Sequence, residues 1–204
     1  MIYVITIIDY GMGNIGSLEN MIKKAGGESI VTSDIKEIEK ATKLLLPGVG
    51  AFDNGMKNLK ELNLINILNE KVLKDKVPIL GICLGMQLFT KSSEEGILLG
   101  LSWVDARTVK FGFENNNLKI PHMGWNSIDV KKESKLFNEL INPEFYFVHS
   151  YHLVCNNEKD ILATTNYGYD FISSIEKDNI CGLQFHPEKS LKYGLKVIEN
   201  FVKL

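Results

Sequence analysis

The sequence predicts an α/β protein in which a mostly parallel central sheet is flanked by helices and the second half is rich in β structure. Three observations carry this expectation. Residues 2–8, and then Val77, Ile79, Leu80 and Ile82, form short apolar runs of the kind buried on both faces of a sheet. Strand-like and helix-like stretches alternate several times across the first ninety residues. From about residue 97 the alternation gives way to short β-favouring segments with few long helices between them. No repeat, low-complexity tract or flexible linker breaks the 204 residues, so one domain over 1–204 is expected.

The first strand spans 2–8. Its apolar N-terminus is short and lacks a basic start or a small-residue cleavage site, so it reads as a strand and not as a signal peptide. Asp9–Asn14 is a Gly-rich turn, in which Gly11-Met12-Gly13 lacks the third glycine of a dinucleotide fingerprint. A helix follows over 15–25, with Ile15, Leu18, Met21, Ile22 and Ala25 on one stripe, and Gly26-Gly27 ends it. Ser29–Thr32 is a strand, and Asp34 caps a short helix through Ala41. Lys43–Leu46 is a strand that runs into Pro47-Gly48-Val49-Gly50-Ala51-Phe52, followed by helical stretches over 53–62 and 64–74. The strand at 77–82 leads to a helix holding Leu84, Met86, Gln87, Leu88 and Phe89. Later strands are expected at 103–111, 125–130, 145–148, 161–165, 171–176 and 180–185, with a polar turn at 112–117 and an amphipathic helix over 190–203.

Cys83 falls where a strand becomes a helix, with Gly81 two residues before it and Gly85 two after. This is the spacing of a nucleophile elbow with Cys in place of Ser. A sharp turn pushes the side chain clear of the backbone, and a helix N-terminus favours the thiolate. The bland alternative is a buried structural cysteine. The flanking glycines, together with His186-Pro187-Glu188, favour the nucleophile. In extended backbone His186 and Glu188 leave the chain on the same side, as a base and its orienting carboxylate. In a parallel sheet, ligands bind beyond the C-terminal strand ends, where both Pro47–Phe52 and Cys83 are expected.

Composition narrows the function. With 23 Lys and Arg against 25 Asp and Glu, the formal net charge is −2 and there is no basic run, which disfavours nucleic acid and anionic membrane. Three cysteines are few and odd in number, which fits a reducing cytoplasm and not a disulfide framework. No apolar run is long enough to span a membrane. The four His and three Cys show no zinc-ligand spacing, so no metal is expected; no cofactor is expected either.

Gly81-Ile-Cys-Leu-Gly-Met-Gln87 followed by His186-Pro-Glu188 resembles the class I (triad) glutamine amidotransferases. Pro47–Phe52, Pro121-His122-Met123-Gly124-Trp125-Asn126, His149-Ser150-Tyr151 and His186–Ser190 are similar to the glutaminase subunits of imidazole glycerol phosphate synthases. The resemblance implies a flavodoxin-like fold and a Cys83–His186–Glu188 triad that hydrolyses L-glutamine. It also implies a heterodimer in which ammonia passes to a (βα)8-barrel cyclase subunit. There it would yield imidazole glycerol phosphate and an aminoimidazole carboxamide ribonucleotide, in histidine biosynthesis. By position the Leu84 N–H is one oxyanion donor, and the turn Gly48, Val49, Gly50 supplies the other. Glycines on both sides of Val49 let one peptide flip, presenting either its N–H or its C=O. The resemblance further implies that Gln87, Glu95, Ser150 and Tyr151 hold the substrate's α-amino and carboxylate groups. His122, Met123, Trp125, Asn126 and Lys189 are expected near the site mouth facing the partner, while His149 and His152 are read as structural.

The pattern departs from the family in two places. Ile15-Gly16-Ser17 stands where an Arg often precedes the Ser, and Trp103-Val104-Asp105-Ala106 is less usual. These features resemble paralogues in which ammonia reaches a sugar-modifying synthase for cell-surface polysaccharide, an alternative for the acceptor. Two further rivals are a non-catalytic regulatory subunit, opposed by the complete triad, and a Cys peptidase, which leaves Pro47–Phe52 and Pro121–Asn126 unexplained.

Overall fold

The computed structural model describes residues 4–113 and 118–204. The first residues of the expected opening strand, and 114–117 of the expected polar turn, lie outside the described residues. The first half runs β1 (Val4–Ile8), α1 (Ile15–Lys24), β2 (Glu28–Thr32), α2 (Ile35–Glu39), β3 (Leu44–Leu46), α3 (Phe52–Glu61) and α4 (Leu64–Asn69). A π-helical turn, Glu70–Lys74, continues α4 and leads to β4 (Ile79–Ile82) and α5 (Leu84–Gln87). The second half comprises β5 (Ala106–Lys110), β6 (His122–Ser127), β7 (Asp129–Val130), β8 (Glu144–His149) and β9 (Tyr151–Cys155). It closes with β10 (Ile161–Asn166), β11 (Asp170–Lys177), β12 (Ile180–Leu183) and α6 (Leu191–Lys203).

One ten-stranded sheet joins both halves, in the order β2-β1-β3-β4-β12-β11-β10-β7 along its main path. The first five are parallel neighbours, and β12 to β11 begins the antiparallel part. β9 pairs with β11 and carries β5 on its other side. β6 and β8 form a separate antiparallel pair. The apolar runs that suggested buried strands are buried: Ile5, Ile7, Ile8, Leu44–Leu46, Ile79 and Leu80 are inaccessible to solvent. One core cluster packs residues of α2, α3 and α4 on one face of the sheet, and another packs Leu18 and Ile22 of α1 with Val197, Ile198 and Phe201 of α6 on the other. Asp34 caps α2 by accepting from the Lys36 N–H at 2.9 Å.

Four expectations are corrected. Trp103 and Val104 precede β5 instead of opening it. Trp103 is drawn into the core, its ring 4.9 Å from that of Phe89 and its Nε1 donating to Asn69 Oδ1 at 2.7 Å. The run 125–130 is two strands, because the chain leaves the β6–β8 pair at the buried Ile128 and joins β10 through β7. β9, unannounced by its mixed Tyr-His-Leu-Val-Cys pattern, is ordered by pairing with β5 and β11. α5 stops at Gln87 instead of Phe89: the chain tightens to three-residue bonds, Phe89 N–H to Met86 O and Thr90 N–H to Gln87 O, and the Thr90 hydroxyl takes the Gln87 carbonyl at 2.8 Å. Only one turn of helix therefore lies behind Cys83, so its dipole contributes less than a full-length helix would.

Candidate active site

The strand order itself builds the site. β3, β4 and β12 are adjacent and parallel, so the segments leaving their C-terminal ends converge: Pro47–Gly50, Cys83 and Gln184–His186. Cys83 takes φ +53° and ψ −109°, a conformation that costs a non-glycine residue roughly 1–3 kcal/mol. Backbone bonds on both sides hold it there, from the Cys83 N–H to Leu183 O at 2.7 Å and from the Met86 and Gln87 N–H groups to Cys83 O. Gly85 is required by the crossing of β3 and the elbow, since a Cβ there would stand 1.9 Å from Leu46 O.

His186 Nδ1 lies 2.8 Å from Glu188 Oε1, and both side chains are almost wholly buried. Burial by itself pulls the imidazole pKa down. The Nδ1 bond to Glu188 and the negative charges of the Cys83 thiolate and the Glu188 carboxylate outweigh it and hold His186 well above its ordinary value. His186 Nε2 is buried and has no hydrogen-bond partner among the described residues. A polar atom left open toward a thiol is the arrangement of a proton carrier between reactions. Cys155 and Cys181 differ sharply, with burial pushing both thiols up to about 12.

The two expected oxyanion elements meet each other. The Leu84 N–H donates to Gly48 O at 3.3 Å, so the turn presents a carbonyl, and not an N–H, where the negative oxygen would form. In this state the Leu84 N–H is occupied, as expected for the form of the turn that presents its C=O. Gly48 is wedged against the elbow, and a Cβ there would sit 2.7 Å from the Tyr10 hydroxyl and 2.8 Å from Leu84 Cβ. The Tyr10 hydroxyl donates to Pro47 O at 2.5 Å and anchors the turn's start, while Val49 and Gly50 are exposed.

A cavity of about 500 Å³ opens beside Cys83 and His186. Val49, Gly50, Leu84, Gln87, Glu95, Ser150 and Tyr151 line it, so the expected substrate-holding residues come together, with His149 among them. Two of these are partly committed elsewhere. Glu95 Oε2 accepts from the Phe52 N–H at 2.8 Å, at the start of α3. Gln87 Nε2 donates to Tyr151 O at 3.2 Å and to Gln184 Oε1 at 3.1 Å, which leaves its Oε1 for a ligand amine. Gln184 was not anticipated, although a Gln inside the apolar run 180–185, on the same side of the strand as His186, was the available signal.

Strand alternation sorts the residues expected at the partner interface. Met123 and Trp125 point outward from β6 and are exposed. Lys189 Nζ stands 5.7 Å from the Tyr146 ring, and Trp125 meets the same ring edge-on. His122 is corrected: it is buried in a cluster with Phe111, Phe147 and Tyr167 and does not face outward. Asn126 shares that inner side and donates to Asn166 O at 2.9 Å. His149 Nδ1 donates to Tyr151 O at 2.8 Å, so its Nε2 accepts from His122 Nδ1 at 3.1 Å, and His122 Nε2 accepts from Asn126 at 3.3 Å.

Burial lowers His122 to about 4 and His149 to about 3. Unfolded, both titrate near 6.5, so below that value the unfolded chain binds more protons. The stability from keeping them neutral is complete above about pH 6.5 and is lost as pH falls toward 4, by on the order of 3 kcal/mol for His122. His122→Phe should flatten the slope of unfolding free energy against pH in that window. An unchanged slope would show that His122 titrates alike in both states.

Among the described residues no helix is long and apolar enough to cross a membrane, and no group of three or more His, Cys, Asp or Glu is placed to hold a metal ion. The family model for glutamine amidotransferase class-I matches residues 6–204. The chain is 59% identical over 201 residues to the imidazole glycerol phosphate synthase subunit HisH 2 of Methanococcus maripaludis, covering 98% of this chain and 99% of that protein. It is 44% identical to HisH 2 of Pseudomonas aeruginosa, covering 98% of this chain and 100% of that protein. In fold it is similar to a glutamine amidotransferase from Thermotoga maritima, with a TM-score of 0.63 at 21% identity over 92% of this chain and 77% of that one. The elbow cysteine, the buried His–Glu pair and a family match across nearly the whole length agree: this chain belongs to the class-I glutamine amidotransferase family.

Proposed function

We propose that the chain is the glutaminase subunit of an imidazole glycerol phosphate synthase. It hydrolyses glutamine to glutamate and ammonia and passes the ammonia to a (βα)8-barrel cyclase subunit in the cytoplasm. The observation that carries this reading is Cys83 set beside the buried His186–Glu188 pair at the wall of a cavity large enough to admit an amino acid. The names of the relatives in M. maripaludis and P. aeruginosa support the choice of synthase.

The chemistry follows from the geometry. Sγ of Cys83, as thiolate, attacks the side-chain amide carbon of glutamine, and the carbonyl oxygen takes the negative charge. His186, as imidazolium, gives its Nε2 proton to the departing nitrogen, which leaves as ammonia. The γ-glutamyl thioester remains on Cys83. His186, now neutral, takes a proton from water as the water adds to the thioester, and glutamate leaves with the thiolate restored. Glu188 keeps the Nδ1 proton in place and stabilises each imidazolium. Gln87 Oε1, Glu95 and the Ser150–Tyr151 backbone supply the polar groups for the α-amino and carboxylate ends.

The test is glutamate production from glutamine, with and without a barrel cyclase and, in parallel, a sugar-modifying synthase. Stimulation by the cyclase, with formation of imidazole glycerol phosphate, is expected; stimulation by the sugar synthase alone would reassign the acceptor. The partner is expected to cover the exposed Met123, Trp125 and Lys189. Trp125→Ala should weaken association by roughly 2 kcal/mol, since a tryptophan covered on binding is a frequent anchor. Unchanged affinity for the cyclase in a titration of the folded variant would remove Trp125 from the interface.

A further inference from the structure

We propose that Gln184 is a further catalytic residue of this site, whose side-chain amide N–H is aimed at Cys83 Sγ and stabilises the thiolate. Gln184 Nε2 lies 3.7 Å from Sγ, within the reach of an N–H to sulfur, and the side chain is wholly buried. The orientation of its amide follows from its neighbours. A backbone carbonyl only accepts, so the Gln87 atom 3.2 Å from Tyr151 O is its nitrogen. The same nitrogen lies 3.1 Å from the Gln184 side chain, so the Gln184 atom facing it is the oxygen. The Gln184 nitrogen is therefore turned to the sulfur. A chain of donors thus runs from Gln87 through Gln184 to the nucleophile.

A buried amide N–H needs an acceptor, and a thiolate is a far better one than a thiol. Gln184 thus gives the anion a second donor, on a different side chain from His186, and it keeps the sulfur oriented when His186 has handed on its proton. The backbone places it well: Gln184 and His186 are two apart in the segment that leaves β12, and the Gln184 N–H is held by Ser173 O at 2.9 Å. The titratable groups around Cys83 are His186 with Glu188 behind it, His149 at the end of β8, Tyr10 beyond the end of β1, and Glu95 and Tyr151 in the wall of the same cavity. None of these changes when Gln184 is substituted.

This inference rests on Cys83 being the nucleophile, and its test needs no glutamine. The rate of Cys83 alkylation by iodoacetamide is followed against pH by peptide mass in the intact chain, with folding checked by circular dichroism. Cys155 and Cys181, raised to about 12, stay largely unmodified below pH 10. In Gln184→Met the profile should move to higher pH, with alkylation at pH 7 slower by about three- to tenfold. The plateau rate at high pH should be equal or greater, because a more basic thiolate is the stronger nucleophile. Gln184→Glu keeps the shape and the bond from Gln87 but puts a carboxylate oxygen against sulfur. It should shift the profile at least as far, and it decides the matter if the Met variant fails to fold. A profile that stays in place, or a lowered plateau with no shift, would overturn the proposal by reducing Gln184 to a packing residue. Loss of glutaminase activity without either change would leave the elbow chemistry standing and the Gln184 assignment refuted.

Discussion

Cys83→Ala is expected to lower glutamate production from glutamine by at least ~10³-fold while the fold survives, because removing a nucleophile leaves only binding and oxyanion contributions. The elbow is held by backbone bonds at Cys83 N–H and O, which alanine retains, so the thermal unfolding midpoint should move little. A glutamine-like electrophile should label Cys83 and spare Cys155 and Cys181, whose thiols burial holds near 12 and so keeps protonated at neutral pH. The measurements are steady-state glutamate release, circular dichroism on heating and peptide mapping of the label. Label spread evenly over the three thiols, or an active alanine variant, would remove Cys83 from the chemistry.

The second large effect concerns the turn Pro47–Gly50. In the structure the Leu84 N–H is tied to the Gly48 carbonyl, so the tetrahedral oxygen would meet a carbonyl dipole of like sign. Rotating the Gly48–Val49 peptide would withdraw that carbonyl, free the Leu84 N–H and bring in the Val49 N–H. One oxyanion donor is worth on the order of 10²–10³ in turnover. The chain alone should therefore be slow, and turnover should rise by about that factor when the cyclase, with its own ligand bound, favours the rotated peptide. The rotation turns ψ of Gly48, and Gly50 closes the turn on the other side of Val49: its φ is +115°, and a Cβ there would stand 2.8 Å from Met12 Cε, so a side chain there would disturb the turn. Gly50→Ala should blunt the stimulation. Equal turnover for the chain alone, with partner, and with partner plus ligand would exclude the switch.

By itself the sequence marked the Cys83 elbow, the His186–Glu188 pair and the alternating elements of the first half. Gly81, Cys83 and Gly85 mark an elbow because close crossing of strand and helix is a local steric demand, met in the structure by Gly85 against Leu46 O. His186 and Glu188 are paired through two residues of backbone, and their 2.8 Å contact is likewise local. The parallel strands of the first half are legible because burial on both faces demands apolar residues without interruption.

What only the tertiary structure decided depends on residues distant in the chain. Setting β12 beside β4 brings Gln184 to Cys83 across 101 positions, and no local pattern encodes that adjacency. Which way the β6–β8 pair faces buries His122 and exposes Trp125 on neighbouring turns of one alternation, so a motif read as one surface is split between core and solvent. The closed oxyanion turn is a choice between two peptide orientations that the same glycines permit. Packing against Tyr10 and the elbow settles it, because a permissive backbone leaves the decision to its neighbours.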